Sequence, residues 1–484
     1  MSLLYYIHAR VNEPRCRQSG EAGGSPMPFA ALLTPATASP MPGAGQLLLS
    51  TALLDLSAQS APTLPSARPP EWAGWLGLFI LIAAVSLLAW WLLASPLARP
   101  AERVAPTEHV LRMRFLMAAV VLLGGLLLRV GAPWDELWHR LSGVPFGEDL
   151  LWPPHLLMYA SIALSFLLVG YGLSVALGGG GGLREGFRRE PLLALLGLLS
   201  AYGFAFIPVD IVWHQVIGPD LMAESPPHVV GALSGTAVAL TGVALALSTA
   251  PRPVWRGFLN RLRPGDAVAL GILVVQCLSW LQLMTTGWEW AADRSVLSRP
   301  GWMYPVTVLV IGAAVSHVAL YSTRRMGAAT AVALVILAAH VPAVAVYRLL
   351  LPPGPAIAAH LLLVPAAVSL DVWYSLRRGD RIARTTLWGG AVLYAAVLLA
   401  VAIPYIARAM TVPVVDSATA FLSVAVGLPA ALVASLLGTR VGAWLAAAGR
   451  PPATETAMAV AHPAYGGVES ASHRTRFVQK EDYQ

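Results

Sequence analysis

The sequence predicts an all-α, polytopic integral membrane protein with about eleven transmembrane helices. Three observations predict it. Of the 484 residues, 57% are hydrophobic and the mean hydropathy is +0.65. Charged residues make up 12%, about half of what a soluble domain carries. Apolar stretches long enough to cross the hydrocarbon layer as helices recur between short loops, and alternation with period two at strand length is absent, which excludes an outer-membrane barrel.

Residues 1–71 are rich in Pro, Ala, Ser and Gly and read as a low-complexity, disordered tail. Within it, "GQLLLSTALLDLSA" is too short to span. Residues 72–450 form the expected transmembrane domain. Its spans fall near 73–95, 112–132, 155–177, 191–209, 228–248, 266–286, 303–322, 327–349, 355–376, 386–406 and 418–446. Residues 451–484 are polar and read as a disordered cytoplasmic tail.

Arginines orient these spans. They collect in alternate loops, as Arg99 and Arg103; Arg184, Arg188 and Arg189; Arg252 and Arg256; Arg324 and Arg325; and Arg377 and Arg378. The positive-inside rule makes those loops and the C-terminus cytoplasmic, in a multi-pass cell-membrane protein. Arg10, Arg15 and Arg17 then lie in an outer N-terminal tail and fit the rule less well. The net charge of +7 serves this orientation and is no nucleic-acid signal; Lys480 is the only lysine. Cys16 and Cys277 are too few for a disulfide framework or a thiolate zinc site. "GGGGG" at 178–182 is a linker, since no Lys-Ser/Thr follows to make a phosphate loop.

One polar phrase occurs twice among the extracytoplasmic loops. "PWDELWHRLSGVPFGEDLLWPPH" (133–155) and "PVDIVWHQVIGPDLMAESPPH" (208–228) share Pro-x-Asp-x-x-Trp-His, Gly-x-Asp-Leu and Pro-Pro-His. The period of about 75 residues defines tandem helix-loop-helix repeats, 112–177 and 191–248. A degenerate third, 266–322, keeps Trp288 and Glu289 in "TTGWEWAADRSVLSRPGWMYP" but has lost the loop histidines. Pro133 and Pro208 are placed to begin short interfacial helices.

Asp135 and His139 are four residues apart, as are Asp210 and His214, so each pair shares a helix face. Pro-Pro then sets His155 and His228 in the first turn of the following span. Each unit gathers one carboxylate and two imidazoles from two directions, a set suited to a transition ion. The expected metal ligands are therefore Asp135, His139, His155, Asp210, His214 and His228. Asp149 and Asp220 are placed to hydrogen-bond the distal ring nitrogens, and Glu148 and Glu224 are spare carboxylates nearby. The contrary reading makes the same residues belt tryptophans, helix starters and structural hydrogen bonds. By chemistry alone copper, non-haem iron and zinc all remain open.

Asp-x-x-x-His followed by a second His resembles the metal motif of the membrane C subunit of copper membrane monooxygenases, the methane and ammonia enzymes. The resemblance falls on Asp210, His214 and His228, with Asp135, His139 and His155 as a second set. It covers only a short part of each copy. It implies copper, with iron or zinc as alternatives, and a metal-dependent oxidoreductase or monooxygenase subunit acting on a small lipophilic substrate. An enzyme of that kind requires an electron donor and further membrane subunits as partners, beside the lipid bilayer; nucleic acid is not among them. Metal-ion handling or transport is the alternative, and a structural subunit without chemistry of its own is the third.

His317, His340 and His360 lie inside expected spans. At about 1.5 Å per residue they sit roughly 21, 14 and 8 Å below the outer helix ends. Those unequal depths point to core or cavity-lining histidines rather than an axial pair for haem. Arg294, Arg299, Arg348, Arg408 and Asp416 are expected on the outer face with the motifs, and Asp371 near the cytoplasmic end.

Overall fold

The computed structural model describes residues 71–93, 106–142, 153–178, 182–217, 226–250, 255, 262–289, 300–350, 358–377, 384–409 and 416–448. The expected C-terminal tail, 451–484, and all of the expected N-terminal tail but Glu71, which begins a helix, lie outside the described residues. In chain order the helices are α1 (Glu71–Leu93), α2 (Glu108–Ser142), α3 (Pro153–Leu177), α4 (Leu183–Arg189), α5 (Pro191–Ile217), α6 (Pro226–Ser248), α7 (Pro264–Glu289), α8 (Met303–Thr323), α9 (Ala328–Leu350), α10 (Ala358–Leu376), α11 (Arg384–Ala409) and α12 (Ser417–Ala447). No strand occurs among the described residues. Among the described residues, seven helices are long and apolar enough to cross a membrane: α2, α3, α6, α7, α8, α11 and α12. Shorter apolar stretches occupy Pro191–Phe204, Ala328–Pro342 and His360–Leu376. The chain is an all-α, multi-pass membrane protein.

Two expectations change. No interfacial helix starts at Pro133 or Pro208, because α2 continues through the first to Ser142 and α5 through the second to Ile217. A proline inside a helix frees the carbonyl four residues earlier, and in an apolar bundle neighbouring helices offset that loss. Asp135 and His139 therefore extend the spanning helix itself, as do Asp210 and His214. The second change is α4, which fills part of an expected loop. Its Phe187 is buried, and at Gly186 an added Cβ would fall 1.7 Å from the carbonyl oxygen of Ala176, so only glycine permits that contact with α3.

Large apolar side chains cover the outside. Leu123, Phe166, Val335, Val372, Phe421 and Leu437 are all exposed. In water such a surface would aggregate; against acyl chains it is matched to its solvent. Without a hydrophobic driving force between helices, close packing must come from small residues. The most extensive pair is α8 with α12. An added Cβ at Gly438 would meet the carbonyl oxygen of Ala314 at 2.5 Å, and one at Gly442 that of Val318 at 2.9 Å. Gly427, Ala431 and Ser435 continue the same buried stripe. Likewise Gly172 of α3 and Gly197 of α5 press backbone against backbone.

Buried charges gather at one end of the bundle. Arg114 at the start of α2 donates to Glu190 at 2.8 Å and to Ser248 at 3.4 Å. Arg325, in the turn after α8, donates from Nε and Nη2 to Oδ2 of Asp266 on α7, at 2.8 and 2.6 Å. Asp371 of α10 accepts from the backbone of Gly327 and Thr330 and from the Thr330 hydroxyl, capping α9 from another helix. Gly327 has φ 86°, a left-handed conformation that glycine adopts without strain. The hydroxyl of Tyr321 donates to that of Tyr374 at 2.9 Å.

Removing one partner of a buried ion pair strands the other. Arg325→Met is expected to cost about 3–5 kcal/mol, while Arg325→Met with Asp266→Leu recovers most of that loss, as read by denaturant unfolding in detergent. Gly438→Val forces a branched side chain into the α8–α12 contact, and overpacking of this kind costs about 1–3 kcal/mol. The same assay measures it.

Candidate metal centre

Three positions of α2 build the first motif. Gly124, Gly131 and Asp135 recur at intervals of seven and four, so they line one face of the helix. That face meets α3. Ser161 donates its hydroxyl to the carbonyl of Gly124 at 2.9 Å. At Gly131 an added Cβ would sit 3.0 Å from the Pro154 carbonyl oxygen and from Met158. The missing side chain lets the start of α3 close on α2. Directly above that contact, Nε2 of His155 lies 2.7 Å from Oδ1 of Asp135, and both residues are 8% exposed. The first unit's carboxylate and second histidine thus meet across the loop. The ring of His155 also lies 6.1 Å from that of Tyr159, one turn further along α3.

The second hairpin repeats the register. Ser161 lies six residues after His155, and Ser234 six after His228. Gly124 lies eleven residues before Asp135, and Leu199 eleven before Asp210. Ser234 donates to the carbonyl of Leu199 at 3.5 Å, the counterpart of the Ser161–Gly124 bond. Both α3 and α6 begin with Pro-Pro-His. The hairpins pack side by side, α3 against α5 and α2 against α6.

The backbone positions of His139, Asp210 and His214 are helical, but their side chains lie outside the described residues. Glu148, Asp149, Asp220 and Glu224 lie outside them altogether, as do residues 290–299 of the degenerate third motif, Arg294 and Arg299 among them. The side chains of Arg348 and Arg408 are likewise outside. His228 is half-buried at the start of α6. Asp416 is exposed and caps α12, accepting from the backbone N–H of Thr419 at 2.7 Å. These hydrogen bonds hold its carboxyl below the usual carboxylate range. Among the described residues, no three His, Cys, Asp or Glu side chains converge as an ion would require.

Sequence reasoning missed a second histidine cluster. His340 of α9 and His360 of α10 stack with ring centroids 3.3 Å apart and planes 13° from parallel. The depth estimate from helical rise had separated them, because it ignored helix tilt and the reach of two imidazoles. Two histidines within consecutive apolar helices were the available signal. His317, by contrast, is a core histidine whose Nδ1 lies 2.8 Å from its own helix's Ala313 carbonyl.

Comparison with known protein families, curated proteins and solved structures finds no match for this chain.

Two expected outcomes test the hairpin geometry. Asp135→Ala leaves a buried imidazole without its carboxylate, at a cost of about 1–3 kcal/mol. A double-mutant cycle with His155→Ala should return a coupling of about 0.5–3 kcal/mol. Unfolding in detergent provides both readings, and additive losses would mean that the two side chains do not interact.

Proposed function

We propose that this chain is a membrane metalloprotein with a transition-ion site at the outer rim of the bundle. Asp135, His139 and His155 hold one set of ligands and Asp210, His214 and His228 the other. The observation that carries this reading is the approach of His155 to Asp135, built by a hairpin whose register recurs in the second unit. Copper is the favoured ion, with iron or zinc behind it. The favoured role is a metal-dependent oxidoreductase subunit of monooxygenase type, supplied with electrons by a partner. The reading also takes the motif loops as extracytoplasmic, the spans as about eleven and the repeat as a true duplication.

The donor chemistry fits: an anionic oxygen beside an imidazole nitrogen, on helices that fix both. Two donors of one ion, each about 2.0–2.1 Å from it, lie about 3.0–3.4 Å apart. The 2.7 Å separation is that of a direct ion pair, so the pair must open slightly to share an ion. A bound ion would polarise or activate oxygen. Asp135 contributes negative charge and orientation, His155 a lone pair held at a helix start, and the apolar flanks a route from the bilayer for a lipophilic substrate.

The same short distance favours a second reading, in which Asp135 and His155 simply clamp the hairpin and the chain serves as a structural subunit. Metal-ion handling or transport uses the same ligands for capture and is the remaining alternative.

Metal content of the detergent-purified protein separates these readings. The expected result is bound copper or iron, of which one or two equivalents are lost in a His139→Ala/His214→Ala variant that still folds. No metal in the folded wild type, even after reconstitution, would establish the clamp and overturn the metalloprotein reading.

A further inference from the structure

We propose that His340 and His360 form a second metal site, inside the membrane, that takes copper(I). It stands independently of the rim site. The two side chains are 8% and 1% exposed. All four of their ring nitrogens are buried without a hydrogen-bond partner among the described residues. A neutral imidazole carries one donor and one acceptor, so the pair leaves two of each unsatisfied where water is scarce. Rings stacked at 3.3 Å and nearly parallel cannot hydrogen-bond to one another. Their mutual packing therefore leaves the nitrogens unexplained.

An ion of imidazole preference explains them. Buried neutral imidazoles present the lone pairs that late transition ions seek, and the stack already holds two such ligands together. The in-plane lone pairs of a parallel stack do not converge, so both rings must turn about their Cβ–Cγ bonds to face one ion; two nitrogens bound at about 2.0 Å then lie about 3.3–4 Å apart. Charge then selects the ion. Arg129 of α2 lies within electrostatic reach of both rings. Its positive charge opposes a divalent ion about twice as strongly as a monovalent one. Among the described residues, no third His, Cys, Asp or Glu joins the pair to supply a compensating charge. Copper(I) combines a single charge with stable coordination by two imidazoles.

Competition titration tests this on the full chain in detergent. The probe is copper(I) under ascorbate, set against a chromophoric copper(I) chelator. The wild type is compared with His340→Phe/His360→Phe, which keeps two stacked rings and removes all four nitrogens, and with the rim variant Asp135→Asn/His155→Ala. The expected result is loss of one equivalent, or at least tenfold weaker binding at that equivalent, in the Phe/Phe variant, while the rim variant retains that equivalent. Retention of that equivalent by a folded Phe/Phe variant overturns the proposal, as does a wild type that binds no copper(I). Tighter zinc(II) than copper(I) binding at the pair overturns the choice of ion. Loss confined to the rim variant also overturns it, while supporting the rim site. Copper-edge X-ray absorption of the copper(I)-loaded rim variant reads the pair without substituting His340 or His360. Two imidazole nitrogens in the coordination shell support the site, and a shell without imidazole overturns it.

Discussion

The Arg325–Asp266 ion pair is almost sealed from solvent, with side-chain exposures of 2% and 7%, and much of the bundle is arranged around the constraint it represents. A charge taken into an apolar interior without a partner costs several kcal/mol, roughly the whole stability of a domain. Arg325 reaches inward from a tight turn whose Arg324 takes a left-handed φ of 52° and whose Gly327 takes 86°. Asp371 then accepts the amide of Gly327 and caps α9. One turn thus ties α7, α8, α9 and α10 together through polar contacts that hydrocarbon leaves no alternative to. Arg114, Glu190 and Ser248 do the same for α2, α5 and α6.

Small residues decide how near the helices come, and so where the polar groups land. Gly131 lets the start of α3 reach α2, and the Asp135–His155 pair follows from that approach. Gly172 against Gly197 sets the two hairpins side by side. Gly438 and Gly442 seat α12 on α8, whose inner face holds Tyr304, Leu309 and His317. The same rule operates at each contact: in lipid, tight packing substitutes for the hydrophobic effect, and a missing Cβ is the cheapest way to obtain it.

The polar chemistry is divided by position. The ion pairs and capping carboxylate of the turn end are mutually satisfied and hold the bundle together. In the other half, Asp135 and His155 are matched to each other, whereas the nitrogens of His340 and His360 find no partner among the described residues. Groups of that second kind carry a stability cost that folding alone does not justify, and such costs concentrate where a protein binds something.

The sequence by itself determined that this is a helical, multi-pass membrane protein, and it offered a polar phrase written twice as a candidate site. Hydropathy over some twenty residues and a repeated polar phrase are local properties, legible without a fold. It also brought Asp135 and His155 into one candidate set, because Pro-Pro before a histidine marks a helix start. Tertiary structure alone decided that α2 and α5 continue through Pro133 and Pro208. It alone brought Arg325 to Asp266, Gly131 under Pro154 and His340 onto His360. Those meetings depend on helix tilt, crossing and ångström-scale approach, and linear spacing carries none of that information across separate helices.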